Sequence, residues 1–171
     1  MKKYTIAFGI LLSLGLTTCY ASNHAQMTQL RDSHPILKNS PIKIVSPFSP
    51  ELTWMEGVVL AGSYNEKSQR IFIPNNLFWT DTKWAMLHET GHWVWNTKMS
   101  EAQRWNYSKL FQKEGKMVSW YARTDLEENF CEMFAYAGGN RQSIYSGLEE
   151  YLNGSAQYRY VQDIIKDIIA N

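Results

Sequence analysis

The segment His88-Glu89-Thr90-Gly91-His92 constrains this chain more than any other. Histidines four residues apart stand one above the other on a helix, so both imidazoles are directed at a single point. With 4 His in 171 residues, the pattern His-Glu-x-x-His is expected by chance in about 0.6% of chains of this composition. Two histidines on a solvated helix face is the bland alternative, and that rarity weighs against it. Two His and a third protein ligand leave the fourth zinc position to water, which is the layout of a catalytic site rather than a structural one. Glu89, beside the first His, is placed to act as general base on that water, whose pKa zinc lowers toward ~7.

The third ligand must come from elsewhere. Metzincins carry a further His six residues after the second, but Lys98 stands there and Trp95 replaces the required Gly. His24 and His34 lie far upstream in a polar stretch. Glu128 and Glu132, four apart, share one helix face, and Phe130, Met133, Phe134 and Ala137 give that helix an apolar stripe at i, i+3, i+4, i+7. One carboxylate would bind zinc while the other hydrogen-bonds a ligand from behind. The competing reading is a solvated acidic face.

Around these motifs the pattern is α+β, with a small antiparallel sheet followed by a mainly helical domain. Ile42 to Val45 is a strand candidate, and Gly57 to Tyr64 with Gln69 to Ile73 reads as a hairpin closed by residues 65 to 68. The second arm stops at Pro74, which suits a sheet edge. Thr80 or Thr82 is expected to cap a helix reaching about Thr97. Ser100-x-x-Gln103 opens another before Gly115, and Thr124-x-x-Glu127 opens a third that Gly138-Gly139 stops. Ser146-x-x-Glu149 and the stretch from Ser155 to Ile169 supply two more, the latter with Tyr158, Val161, Ile165 and Ile168 on one face.

The first 21 residues read as an export signal. Lys2 and Lys3 precede an apolar run from Ile6 to Leu16 that is shorter than the ~20 residues of a spanning helix. Cleavage after Cys19-Tyr20-Ala21 gives a product starting at Ser22. Leu16-Thr17-Thr18-Cys19 also resembles a lipobox, whose use would tether the chain at Cys19 without a transmembrane segment. Residues 22–40, with Pro35 and Pro41, are expected to be a loose polar leader onto a domain spanning 41–171. The net charge of +1, less the two leader lysines, leaves −1. Such a surface has no basic footprint for nucleic acid. Cys131, the one cysteine beyond the signal, forms no internal disulfide and is expected to be a small core residue rather than a ligand.

The run Glu128-Asn129-Phe130-Cys131-Glu132-Met133-Phe134-Ala135 resembles the E-x-F-A-E-x-F-A segment of anthrax lethal-factor-type peptidases, a layout that bacterial Pro-Pro endopeptidases share. The likeness covers roughly residues 57 to 139, with Cys131 where Ala is usual and Trp93-Val94-Trp95 where smaller residues are common. It implies a zincin-like domain in which Glu128 is the third zinc ligand and Glu132 supports the site. It also implies that Tyr121, seven residues before the ligand, donates to the oxyanion, and that the edge of the upstream strand pair holds substrate by strand addition. A phenol aimed at the developing negative charge is sound chemistry on its own terms. Trp84 and Trp95, on the His88 face, either line the groove or pack the core. The expectation is an exported, zinc-dependent endopeptidase with one Zn2+ per chain and a protein or peptide substrate. The alternative is a non-catalytic zinc-binding envelope or secreted protein.

Overall fold

The computed structural model describes residues 23–52, 61–76, 79–139 and 147–170. The expected export signal, the hairpin arm before residue 61 and Ser146 lie outside the described residues. In order, the chain forms α1 (23–33), β1 (Ile42–Val45), β2 (Ser63–Asn65), β3 (Arg70–Pro74), α2 (Trp79–Thr97), α3 (Glu101–Glu114), α4 (Leu126–Ala137), α5 (Leu148–Leu152) and α6 (Ala156–Ala170). The class is α+β, a three-stranded sheet followed by helices. Among the described residues, no helix is long and apolar enough to cross a membrane.

The sheet differs from the expected one in strand direction and in strand order. β2 and β3 form the antiparallel hairpin, with Tyr64 opposite Ile71, but β1 runs parallel to β3, with Ile42 opposite Ile71. A tight turn dictates the direction of the hairpin, whereas the long connection from β1 to β3 leaves either direction open. The order β1-β3-β2 makes β3 the central strand rather than an edge. Pro74 is tolerated because it is the last residue of the strand, and the next ladder bond comes from Asn75 N–H to Val45 O at 2.9 Å. β3 is buried on both faces. Ile71 and Ile73 enter the main core, while Phe72 packs with Val45 and Leu52 on the other side.

The described part of the expected leader, residues 23–40, is not loose. Residues 23–33 are helical and a 3-10 turn covers Leu37–Asn39. Met27, Ile36 and Leu37 are buried in the main core, and His34 Nε2 lies 3.1 Å from Gly138 O. Pro35 falls beyond the end of α1 and so breaks nothing. Three core residues spread over a polar stretch leave no periodicity to detect. The packed domain therefore begins upstream of residue 41.

Helix starts follow local chemistry. α2 begins at Trp79, which puts Thr80 and Thr82 inside the helix. The Ser100–Gln103 capping box is present in both directions. For α4 the cap is Asp125 rather than Thr124. The Asp125 carboxylate accepts from Glu128 N–H at 2.8 Å, whereas Thr124 closes the preceding 3-10 turn by donating to Tyr121 O at 2.6 Å. Aspartate is among the strongest cap residues, so it wins the position. Every residue from Asn129 to Tyr136 is buried, because α4 packs against α2, α6 and the Tyr121 turn together. α6 presents Val161, Ile164 and Ile165 to the core, flanked by the partly buried Tyr158 and Ile168.

One polar contact joins two helices end to end. Glu114, in the last turn of α3, accepts from Ser155 Oγ at 2.6 Å, Ala156 N–H at 3.0 Å and Gln157 N–H at 3.1 Å. It thereby satisfies the open amides of α6. The Ser155 hydroxyl, with those two amides, holds the Glu114 carboxyl below its ordinary range. A lowered folded-state pKa stabilises the protein above the unfolded-state value, and that stability is lost as pH falls through the folded-state value. Glu114→Gln is expected to cost about 1 kcal/mol at neutral pH and to flatten the acid limb of stability between those two values. Urea unfolding across pH checks both, and identical curves for parent and variant would remove Glu114 from this role.

Candidate metal centre

The site forms where α2 crosses α4. His88 and His92 project from one face of α2, and Glu128 reaches them from the first turn of α4. Their ligand atoms lie within 4.8 Å of one another. Glu128 Oε2 is 3.1 Å from His88 Nε2 and 3.6 Å from His92 Nε2. The crossing is close because Gly91 lies between the two histidines. A Cβ there would stand 2.9 Å from Cys131 Cα and 3.1 Å from Cys131 Sγ. Any side chain at 91 pushes α4 away and opens the ligand set. Cys131 itself is fully buried, as expected of a core residue, and burial pushes its thiol up to about 12.

Each imidazole is backed by its own carboxylate. Glu132, 5% exposed, places Oε1 2.9 Å from His88 Nδ1, the supporting position expected for it. His92 Nδ1 meets Glu127 Oε1 at 2.7 Å, and Asn96 Nδ2 donates to that same oxygen at 2.8 Å. Sequence reasoning missed Glu127, assigning it to a cap with Thr124. The clustering of carboxylates at 127, 128 and 132 was the available signal, but it does not say which of them faces which imidazole. Backing of this kind fixes ring orientation and raises ligand basicity.

The residues fit a cation. Glu128 Oε2, His88 Nδ1 and Glu132 Oε1 are buried without a hydrogen bond. All three are at ion-pair distance, Glu128 Oε2 from His88 Nε2 and Glu132 Oε1 from His88 Nδ1, but lack hydrogen-bond alignment. A buried carboxylate oxygen left so is costly unless a positive charge meets it. The imbalance extends to the cavity of about 370 Å³ in front of the ligands, whose lining includes Glu66, Glu89, Asp125, Glu127 and Glu128 but, among the described residues, no Lys or Arg. Burial opposes charge on His88, but the Glu128 and Glu132 carboxylates beside it prevail and push it up to about 9. His92 is likewise raised. Burial disfavours charge on Glu128 also, yet the imidazoles beside it hold it well below the carboxylate range. The imidazoles and carboxylates thus form one tightly coupled charged cluster.

Glu89 and Tyr121 line the same cavity. The Glu89 carboxylate lies beside Gly62, where an added Cβ would come 2.7 Å from Glu89 Cγ, and it accepts from the Tyr64 backbone N–H. Burial raises its pKa, with the neighbouring imidazoles opposing. Tyr64 adds its ring parallel to His92, at 6.5 Å between centroids. Tyr121, 49% exposed, donates from its hydroxyl to Glu128 Oε1 at 3.0 Å. Burial and the Glu128 charge push the phenol up to about 12, so it stays a donor at neutral pH. Of the two tryptophans on the His88 face, Trp84 packs on the His88 ring at 5.0 Å. Trp95 instead joins Tyr107 and Phe130 in the core. His34 is far from the cluster, held at Gly138.

No protein-family model, curated protein or solved structure matches the chain.

Gly91→Ala is expected to destabilise the fold by about 1–3 kcal/mol, as overpacking does, and to weaken divalent-metal binding, because the Glu128 helix must move away. Thermal unfolding in chelator separates the first effect from the second, which isothermal titration with zinc reads. A variant unchanged in both would show that this crossing does not set the ligand geometry.

Proposed function

We propose that the protein is a zinc-dependent endopeptidase acting outside the cytoplasm. The observation that carries the reading is that the His88–His92–Glu128 cluster opens onto one cavity together with a carboxylate outside the ligand set, Glu89, and a phenol donor, Tyr121. A protein that merely stores metal needs neither group. Two imidazole nitrogens and one carboxylate oxygen suit zinc and leave a position open. Bound there, zinc supplies Lewis acidity for a carbonyl oxygen and lowers the pKa of a water.

The chain's own groups divide the remaining work. Glu89, raised by burial and steadied by the Tyr64 amide, takes the proton of the attacking water and returns it to the leaving amine. Tyr121 rotates off Glu128 and donates to the oxygen on which negative charge develops. Glu127 and Glu132 hold the two rings in orientation. β2, adjoining Glu89, offers backbone groups to an extended peptide. The likeness of Glu128–Ala135 to the lethal-factor-type motif supports the same assignment, and the export signal in the first 21 residues supports an extracytoplasmic site of action.

Zinc is expected at about one equivalent per chain after purification without chelator; less than about 0.2 equivalents would sink the reading. Glu89→Ala should retain zinc and lose about 10²–10⁴-fold in cleavage of a mixed peptide library. If that variant cleaves as well as the parent, Glu89 is not the base. Glu128→Ala should lose the metal, and full occupancy would move the third ligand elsewhere. Full zinc with no cleavage by the parent would instead indicate a zinc-holding protein.

A further inference from the structure

A second groove, of about 450 Å³, lies beside the Tyr121 turn. The 3-10 turn Tyr121–Arg123 borders both spaces, with Tyr121 in the metal cavity and Arg123 in the groove. Met117 and the buried Leu148 give the groove apolar lining, and Trp120 and Tyr151 complete it. Both aromatics are exposed, Trp120 by 69% and Tyr151 by 43%. Adjacent exposed rings of this size mark a contact surface rather than a fold requirement.

Arg123, the charged residue among the groove's described lining, is opposite in sign to the carboxylates of the neighbouring cavity. The Arg123 guanidinium stacks on Trp120 at 3.8 Å from the ring centroid. Lys116 Nζ sits 3.9 Å from the Tyr151 ring centroid and donates to Tyr151 O at 2.8 Å. Stacking fixes the direction of each cation without neutralising it. Among the described residues neither cation has a carboxylate partner, and no carboxylate lines the groove. Glu149 and Glu150, on the same short helix as Leu148, line a different cavity. The metal cavity, by contrast, is lined by carboxylates. A peptide laid across both is therefore repelled at an acidic residue over the metal cavity and attracted at one over the groove.

We propose that this groove binds an acidic peptide segment, with an Asp or Glu side chain on Arg123 and Lys116 and its apolar neighbours against Trp120 and Tyr151. Resting on the peptidase reading, that segment is the part of the substrate a few residues from the cleaved bond, and the groove sets specificity by charge. The metal cluster performs the same chemistry on any peptide, and the groove selects which peptide arrives.

Two measurements test this on the mature full-length chain. In the first, a capped tetraglutamate and a capped tetralysine peptide are titrated while the indole N–H signal of Trp120 is followed by NMR. The acidic peptide alone should shift it, and the shift should weaken in Arg123→Ala and with added salt. Equal shifts from both peptides, or none from either, overturn the proposal. In the second, cleavage of a mixed peptide library should favour an acidic residue on one side of the bond, with the acidic-to-neutral ratio falling about tenfold in Arg123→Glu. Cleavage with no acidic preference overturns the specificity role. A selective Trp120 shift without any cleavage keeps the acidic peptide as the groove's ligand and fails the peptidase reading instead.

Discussion

The contact on which the rest depends is the crossing of α2 and α4 at Gly91 and Cys131. Two histidines on one helix make half a ligand set, and they gain a third member only if another helix comes near enough to reach them. Hydrogen at position 91 and a small thiol at 131 permit that approach. The crossing also explains why α4 is buried from Asn129 to Tyr136. A helix drawn this close to α2 on one side, and covered by α6 on another, has no solvated face left along its middle. Of its charged residues, Glu127 and Glu128 lie in the first turn and Glu132 is buried against His88.

Behind the site a buried polar cluster keeps that first turn in place. Tyr107 of α3 donates to Asn129 Oδ1 at 2.6 Å, and Gln157 of α6 donates to the same oxygen at 2.7 Å. Asn129 Nδ2 donates to Lys116 O at 3.1 Å and Ala122 O at 3.3 Å. Asn129 is the residue after Glu128, and Ala122 the residue after Tyr121. One side chain thus ties the ligand helix to the turn that carries the phenol. Satisfied networks of this kind stabilise because every partner is desolvated, and leaving one member unpaired costs about 1–3 kcal/mol. The precision of the cavity is therefore set partly by residues that never face it.

The charge pattern extends the same logic to the surface. Among the described residues, five carboxylates and no Lys or Arg line the metal cavity, while Arg123 lines the adjoining groove with no carboxylate there and Lys116 lies against its Tyr151 ring. The short Tyr121–Arg123 turn contributes a residue to each space. Asp125, by capping α4 in place of Thr124, puts Glu127 and Glu128 at the positive end of the helix, where the charges of both are favoured. A single local choice of cap residue thus serves helix stability and the electrostatics of the site together.

Most of the helical order was legible in the sequence because caps and apolar periodicity are local signals. The Ser100–Gln103 box, the Phe130–Met133–Phe134 stripe and the α6 face could all be read residue by residue. So could the His88–His92 pair and, through the motif around Glu128, the residues that would meet it. Other features needed three dimensions. The parallel pairing of β1 with β3 and the packing of α1 through Met27, Ile36 and Leu37 arise from contacts between distant segments with no periodic trace. Glu127 opposite His92, the separate fates of Trp84 and Trp95, and the cationic groove beside Tyr121 depend on which helix faces cross. The sequence by itself determined which groups are available for chemistry, since residue type and helical spacing decide what a face can present. Only the tertiary structure decided which of them meet, because the approach of two helices is set by packing summed over their whole length.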